Sequence, residues 1–262
     1  MTVIGIDLGA KNTKVVILRE GEILTTASAL SGFDQKASAD EAVNNALKSV
    51  GIARDEIKHI TATGAGMDAI TFANDTVTEI SANARGIFTV FPSVRTVIDV
   101  GAEEGRAIRL NDDGKVVDFG INEKCAAGAG AFTEAMARAL EVELEKMGEM
   151  SLKSTKAVPM NAQCTIFAES EVVSLIHQKT PKEDIIRAVH DAIADRITSM
   201  ARRVGIEKEV ALSGGVANNI GFVNSMTRNL GYDLLVPRDP VMPEFIPAYG
   251  AALLAQDKLN GG

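Results

Sequence analysis

Ile4-Gly5-Ile6-Asp7-Leu8-Gly9 opens the chain, and Val97-Ile98-Asp99-Val100-Gly101 repeats its pattern further on. Each is an apolar run ending in Asp-x-Gly, which reads as a buried strand delivering a carboxylate and a glycine to a turn. One copy alone is ordinary hairpin punctuation. Two copies, each after an apolar strand, predict facing turns around a nucleotide-phosphate cleft. Glycine lets backbone N–H groups approach phosphate oxygens, and the aspartate can hold Mg²⁺ through waters. The expected phosphate contacts are Gly9, Ala10, Lys11, Asn12, Thr13 and Lys14 in the first turn, and Gly101 and Ala102 in the second, with Asp7 and Asp99 positioning Mg²⁺. Lys11 and Lys14 read equally well as solvated surface residues.

A third motif, Val210-Ala211-Leu212-Ser213-Gly214-Gly215-Val216-Ala217-Asn218-Asn219, runs an apolar strand into Gly-Gly and then a polar helix start. Bare backbone at Gly214, Gly215 and Val216 suits a flat base or ribose. Strand-Asp-x-Gly twice, strand-Gly-Gly, and Tyr249-Gly250-Ala251-Ala252 on a C-terminal helix follow in an order that resembles the superfamily of acetate and sugar kinases, heat-shock ATPases and actin. The resemblance implies an α/β fold: a duplicated, actin-like ATPase (ribonuclease H-like) architecture with two lobes around a nucleotide cleft. It implies that the two turns hold the β- and γ-phosphates of ATP with Mg²⁺, and that the Gly-Gly strand end contacts the adenosine.

At 262 residues the chain can form two modest lobes, expected over 1–95 and 96–262, the second carrying the cysteines and the adenosine motif. Hydrophobic residues make up 46% and charged residues 24%, as in globular domains. A net charge of −8 without a basic stripe argues against nucleic-acid binding. No apolar run approaches the roughly 20 residues a membrane span needs, and no secretory leader pattern opens the sequence, so a cytoplasmic protein is expected. Aromatics are only 4%, so Val, Ile, Leu, Ala and Met must build the core.

Periodicity predicts strands over 3–7, 14–19 and 23–29, a helix with Asp40 near its start, a strand over 59–64 and a turn and helix over 77–86. The grammar restarts at Thr96, with strands over 107–110 and 116–119 around the hairpin Asn111-Asp112-Asp113-Gly114. This repetition points to an ancestral duplication. Helices are expected over 131–147, 168–178, 181–203 and 246–259. His59, His177 and His190 lack metal-ligand spacing and read as packed or surface residues.

Both cysteines, Cys125 and Cys164, stand just before predicted helices, where unpaired amides and the helix dipole stabilise a thiolate. They could be idle reduced thiols. A disulfide does not suit the cytosol. Two thiolates are too few for a four-cysteine cluster in one chain, but a two-fold dimer supplies four. Lys124-Cys125-Ala126-Ala127-Gly128-Ala129-Gly130-Ala131-Phe132 and Cys164-Thr165-Ile166-Phe167-Ala168-Glu169-Ser170-Glu171-Val172 resemble motifs of the ATPase family of benzoyl-CoA reductase ATPase subunits and 2-hydroxyacyl-CoA dehydratase activators. The resemblance implies that Cys125 and Cys164 ligate one [4Fe-4S] cluster shared by two subunits, with Gly128 in the cofactor-binding stretch. It implies that ATP hydrolysis drives a low-potential electron into a catalytic acyl-CoA reductase or dehydratase, the electron coming from a ferredoxin-like donor.

Members of that family usually carry Asp-Ile-Gly-Gly-Gln-Asp at the second turn, where this chain reads Asp99-Val100-Gly101-Ala102-Glu103-Glu104. Ala102 adds a Cβ beside the phosphates and Glu103 a negative charge. The family's Cys-His-Ala after Glu-Ile is also changed, to Ala82-Asn83-Ala84. Both departures fit one of two unlike ATPase subunits of a benzoyl-CoA reductase better than a homodimeric dehydratase activator, so the former is the expected function. Glu103 is the nearest candidate for orienting the attacking water, although a salt-bridged structural role fits it equally well. The rivals are a small-molecule kinase of the same superfamily and a nucleotide-binding protein that does not hydrolyse ATP.

Overall fold

The computed structural model describes residues 1–122, 128–160 and 165–261. Cys125 and Cys164 lie outside the described residues, so the cysteine assignments rest on the sequence.

Two sheets with matching topology organise the chain. In the first, β1 (Thr2–Leu8) pairs antiparallel with β2 (Asn12–Arg19), β2 with β3 (Glu22–Leu30), and β1 runs parallel to β4 (Ile57–Thr63), which meets the short β5 (Asp75–Thr76). In the second, β6 (Thr96–Val100) pairs antiparallel with β7 (Gly105–Leu110), β7 with β8 (Val116–Asn122), and β6 runs parallel to β9 (Val210–Ser213). The shared order of two hairpins and one parallel neighbour bears out the duplication and the actin-like ATPase fold.

Strand alternation builds the layers. On β1 and β2, Ile4, Ile6, Leu8, Val15 and Ile17 face the outer helix α1 (Gln35–Val50). The opposite face presents Val3, Val16 and Leu18 to a core shared with the second sheet. That shared core is filled by α2 (Glu79–Val90) and α8 (Ile246–Asn260), so the C-terminal helix, placed in the second half by its position in the chain, packs on the first sheet. Beyond the second sheet lie α3 (Ala129–Ala139), α4 (Leu144–Ser151), α5 (Thr165–His177), α6 (Lys182–Val204) and α7 (Ile220–Leu230). The expected apolar stripe of α6, from Ile185 to Met200, is buried there.

The helix expected over 131–147 is two helices. Glu141 adopts φ 54°, and the Val142 N–H bonds back to the Ala137 carbonyl, closing α3 with a left-handed residue. Glycine usually marks such a stop, and here a glutamate makes it. Likewise α1 begins before Asp40, because the Asp34 carboxylate accepts the Ala37 N–H and caps it.

Close packing of small residues joins the lobes. A Cβ on Gly5 would stand 1.9 Å from the Ala248 carbonyl oxygen, and one on Gly250 would stand 1.8 Å from that of Ala82, where α2 crosses α8. Gly250→Ala should therefore cost about 2–3 kcal/mol through overpacking. Thermal denaturation checks this, with an expected fall in midpoint of about 5–10 °C.

Candidate functional site

The two sheets bring their equivalent strand ends together at one cleft of about 610 Å³, the size of a small-molecule site. At its floor stand Asp7, next to last in β1, and Asp99, next to last in β6, each 3% exposed. Each aspartate has a cation directly opposite on the neighbouring antiparallel strand: Lys14 across from Asp7, and Arg106 across from Asp99. The Lys14 ammonium lies 3.0 Å from Asp7 Oδ2, and Arg106 Nη1 lies 2.9 Å from Asp99 Oδ2. The turns match too, since the Gly9 N–H bonds the Asn12 carbonyl and the Gly101 N–H bonds the Glu104 carbonyl.

Glycine backs each aspartate. Gly64 (φ +97°) and Gly214 (φ +85°) follow the parallel strands β4 and β9, and a Cβ on either would stand 2.6 Å from Asp7 Oδ1 or 2.7 Å from Asp99 Oδ1. Only glycine combines that φ with that closeness. The Ser213 hydroxyl reaches Asp99 Oδ1 at 3.3 Å and Asn83 Oδ1 at 3.1 Å, so the departure at Asn83 is a fully buried residue supporting the second turn.

Among the described residues, four carboxylates, from Asp7, Asp99, Glu79 and Glu104, face only Lys14 and Arg106 in the ion pairs on this floor. Arg106 bonds Asp99, Glu79 and Glu104 together; burial opposes its charge, yet these three acids lift its pKa above the ordinary value. Burial raises the pKa of Asp7, with Lys14 opposing, and among the described residues the buried Asp7 Oδ1 has no hydrogen-bond partner. Burial also drives Glu79 up to about 7, assisted by Asp7, Asp99 and Glu104 against the pull of Arg106. A buried orphaned carboxylate oxygen beside excess negative charge fits a divalent cation with its waters.

Gly9, Ala10, Lys11, Asn12, Lys14, Gly101, Ala102, Glu103, Gly214, Gly215 and Val216 all line the cleft. Among the described residues nothing lies within 4 Å of where a Gly215 Cβ would stand, which leaves bare backbone open to a ligand. Thr13 and Gly128 are not among the lining residues. The Thr13 hydroxyl is buried against Ser31 Oγ at 3.2 Å, and a Cβ on Gly128 would stand 2.1 Å from the Glu103 Cα, behind the second turn. Lys11 pairs across the cleft with Glu134 of α3. Glu103 is exposed at the rim.

The N-terminus of α3 is seated on the second turn. The Gly130 N–H bonds the Gly101 carbonyl at 3.1 Å, and the Ala131 N–H bonds the Ala102 carbonyl at 3.0 Å. At the other end of the cleft Asn219 caps α7, accepting the Gly221 and Phe222 N–H groups, while its amide donates to His190 Nε2 at 3.0 Å. Burial lowers the His190 pKa to about 4, so the ring stays neutral and accepts that bond.

Sequence reasoning passed over Arg106, Glu79 and Glu104. Arg106 follows Asp99 at the same offset as Lys14 follows Asp7, and that repeated offset was the available signal. Glu79 comes from a distant segment, and only the fold brings it to the floor.

The sequence that folds into this cleft matches a known family over residues 4–255. The chain belongs to the BadF/BadG/BcrA/BcrD ATPase family. It is 37% identical to the activator of lactoyl-CoA dehydratase from Anaerotignum propionicum, over 98% of both chains. The activator of the 2-hydroxyisocaproyl-CoA dehydratase from Clostridium difficile, solved with bound ADPNP, superposes with a TM-score of 0.94 at 34% identity, covering 100% of this chain and 96% of that one. A benzoyl-CoA reductase subunit from Thauera aromatica is 28% identical over 86% of this chain and 82% of its own. Similarity is thus greater to the dehydratase activators, which favours that alternative over the expected benzoyl-CoA reductase-type subunit. The chain is a member of an ATPase family, and among its described residues no helix is long and apolar enough to cross a membrane.

The displaced pKa of Glu79 makes stability depend on pH. Its folded value of about 7 exceeds the ordinary 4.5, so the folded protein keeps a proton that the unfolded chain releases, and stability falls as pH rises from about 4.5 to about 7. Glu79→Gln removes that ionisation. The nucleotide-free variant should match the parent at pH 4.5 and exceed it by about 1–2 kcal/mol at pH 8, discounting for partial exposure. Urea unfolding at the two pH values measures both.

Proposed function

We infer that this chain is the ATP-hydrolysing activator of a 2-hydroxyacyl-CoA dehydratase, working as a dimer that holds one [4Fe-4S] cluster on Cys125 and Cys164 of each subunit. The observation that carries this reading is the seating of α3 on the second turn. Cys125 lies just before Gly128, the residue at the start of α3. A change in the second turn therefore pulls on the helix whose entry carries one of the cysteines. The other, Cys164, immediately precedes α5, which packs against α3.

The chain's own groups have clear tasks. Backbone amides over residues 10–12 and around Gly101 receive the β- and γ-phosphates, and Lys14 supplies positive charge when a phosphate oxygen draws it from Asp7. Asp7 and Asp99 hold Mg²⁺ through water, which fits the unpartnered Asp7 Oδ1. Gly214, Gly215 and Val216 offer backbone to the adenosine.

The donor set fits a shared cluster, because two thiolates per subunit make four across a two-fold axis. When bound, the cluster supplies one-electron transfer at low potential, and a ferredoxin-like protein is a suitable donor. ATP acts here as a conformational driver, with no phosphorylated product. The lactoyl-CoA dehydratase activator exceeds the benzoyl-CoA reductase relative in identity to this chain, which supports a dehydratase partner over a reductase.

Anaerobic purification with iron and sulfide analysis tests the reading. The parent protein should be brown and contain about four irons per dimer, following the cluster stoichiometry. Cys125→Ser and Cys164→Ser should each lose the iron and keep ATP binding. A metal-free parent protein that phosphorylates a small-molecule acceptor would overturn the proposal.

A further inference from the structure

We propose that Glu79 orients the attacking water in ATP hydrolysis and takes its proton, the role expected of Glu103 from sequence. The proposal rests on the reading of the cleft as an ATP-hydrolysing site and assigns that site its proton acceptor.

Placement is the first argument. Glu79 is the first residue of α2 and lines the floor of the cleft, near both Asp-x-Gly turns. Its backbone is fixed from two sides: Thr78 caps the helix by accepting the Ser81 N–H, and Asn83 Nδ2 donates to the Glu79 carbonyl at 3.1 Å. Its carboxylate is fixed through Oε2 by Arg106, which also holds Asp99 of the second turn. The side chain is 20% exposed, enough to meet a water in the cleft while screened from bulk solvent. The charged groups facing it are Arg106 on β7, Asp99 on β6, Glu104 in the following turn, and Asp7 with Lys14 from the first sheet.

Glu103 offers none of this restraint at the exposed rim. A group that must meet a water in one geometry acts through preorganisation, which a freely solvated carboxylate lacks. A carboxyl group poised near neutrality is also suited to proton acceptance, and the environment of Glu79 supplies that tuning.

In the step itself, the water oxygen forms a bond to the γ-phosphorus while the bond from that phosphorus to the β–γ bridging oxygen breaks. ADP leaves with the electron pair on that oxygen. The water's proton passes to the Glu79 carboxylate and then to solvent, giving ADP, inorganic phosphate and one proton.

Glu79→Gln, Glu79→Asp and Glu103→Gln in the full chain, purified anaerobically, test the assignment by steady-state ATP hydrolysis and by affinity for a non-hydrolysable ATP analogue. Glu79→Gln should lower kcat by about 10²–10⁴-fold, the range for a lost general base, with analogue affinity within about threefold of the parent. Glu103→Gln should lower kcat by less than Glu79→Gln does. A Glu79→Gln kcat within threefold of the parent, a parallel loss of analogue affinity, or a larger loss in Glu103→Gln would each overturn the proposal. If Glu79→Gln does not fold, Glu79→Asp decides: a kcat loss of at least about tenfold with affinity retained supports the assignment, and a smaller loss overturns it. A parent chain that binds the analogue but hydrolyses no ATP defeats the reading of the cleft itself, whereas an active parent matched by Glu79→Gln defeats the proposal for Glu79 alone.

Discussion

Excess negative charge at the floor of the cleft is the constraint on which the rest of the molecule depends. Asp7, Asp99, Glu79 and Glu104 share two cations, Lys14 and Arg106, in a buried or half-buried setting. Burial raises the pKa values of Asp7 and Glu79, and the neighbouring acids add to the displacement. A fold that only needed stability would place apolar residues here. Strands β1 and β6 are buried along their whole length, so their aspartates have no solvent to turn toward. The site is therefore complementary to a divalent cation bound with a polyphosphate, whose charges can satisfy both the surplus carboxylates and the two cations.

The duplication explains how such a site forms from ordinary parts. Each half supplies a buried strand, an aspartate, a cross-strand cation and a left-handed glycine on the parallel neighbour, in the same register. The glycines are needed because each aspartate oxygen occupies the space a Cβ would take. Between the sheets, β1 and α2 approach α8 closely enough that Gly5, Gly86 and Gly250 have no room for side chains, which fixes the spacing of the two turns.

Much of this was legible in sequence because it is local. The Asp-x-Gly turns, the Gly-Gly strand end and the apolar stripe of α6 each follow from periodicity within a short window. The rest depends on contacts that no window contains. Glu79 meets Arg106 across 27 positions, and Lys11 meets Glu134 across 123. The break between α3 and α4 was hidden because Glu141, rather than glycine, takes the left-handed conformation. Thr13 sits inside a motif whose neighbours face the cleft, but the pleat of β2 turns it inward to Ser31. The departures at Ala102, Glu103 and Asn83 pointed toward a reductase-type subunit, yet Asn83 bonds Ser213 behind the second turn, so that difference has a structural use that is neutral between the two functions.

The two halves differ where a signal must leave the site. Lys14 answers one carboxylate, whereas Arg106 gathers three from β6, the following turn and α2. In this way the second turn is tied to the helix at the centre of the molecule. It is also tied to α3, whose first amides bond the carbonyls of Gly101 and Ala102, with Gly128 and Gly130 allowing backbone to lie directly on backbone. The first turn reaches the same helix through the Lys11–Glu134 pair. Both turns thus converge on α3, while α1 packs on the outer face of the first sheet. A surface pair such as Lys11–Glu134 contributes little energy by itself and yields readily to a phosphate competing for the lysine. The rigid link is the backbone seat at Gly101 and Ala102. Because those carbonyls belong to the turn that lines the cleft, the turn cannot shift without moving the start of α3.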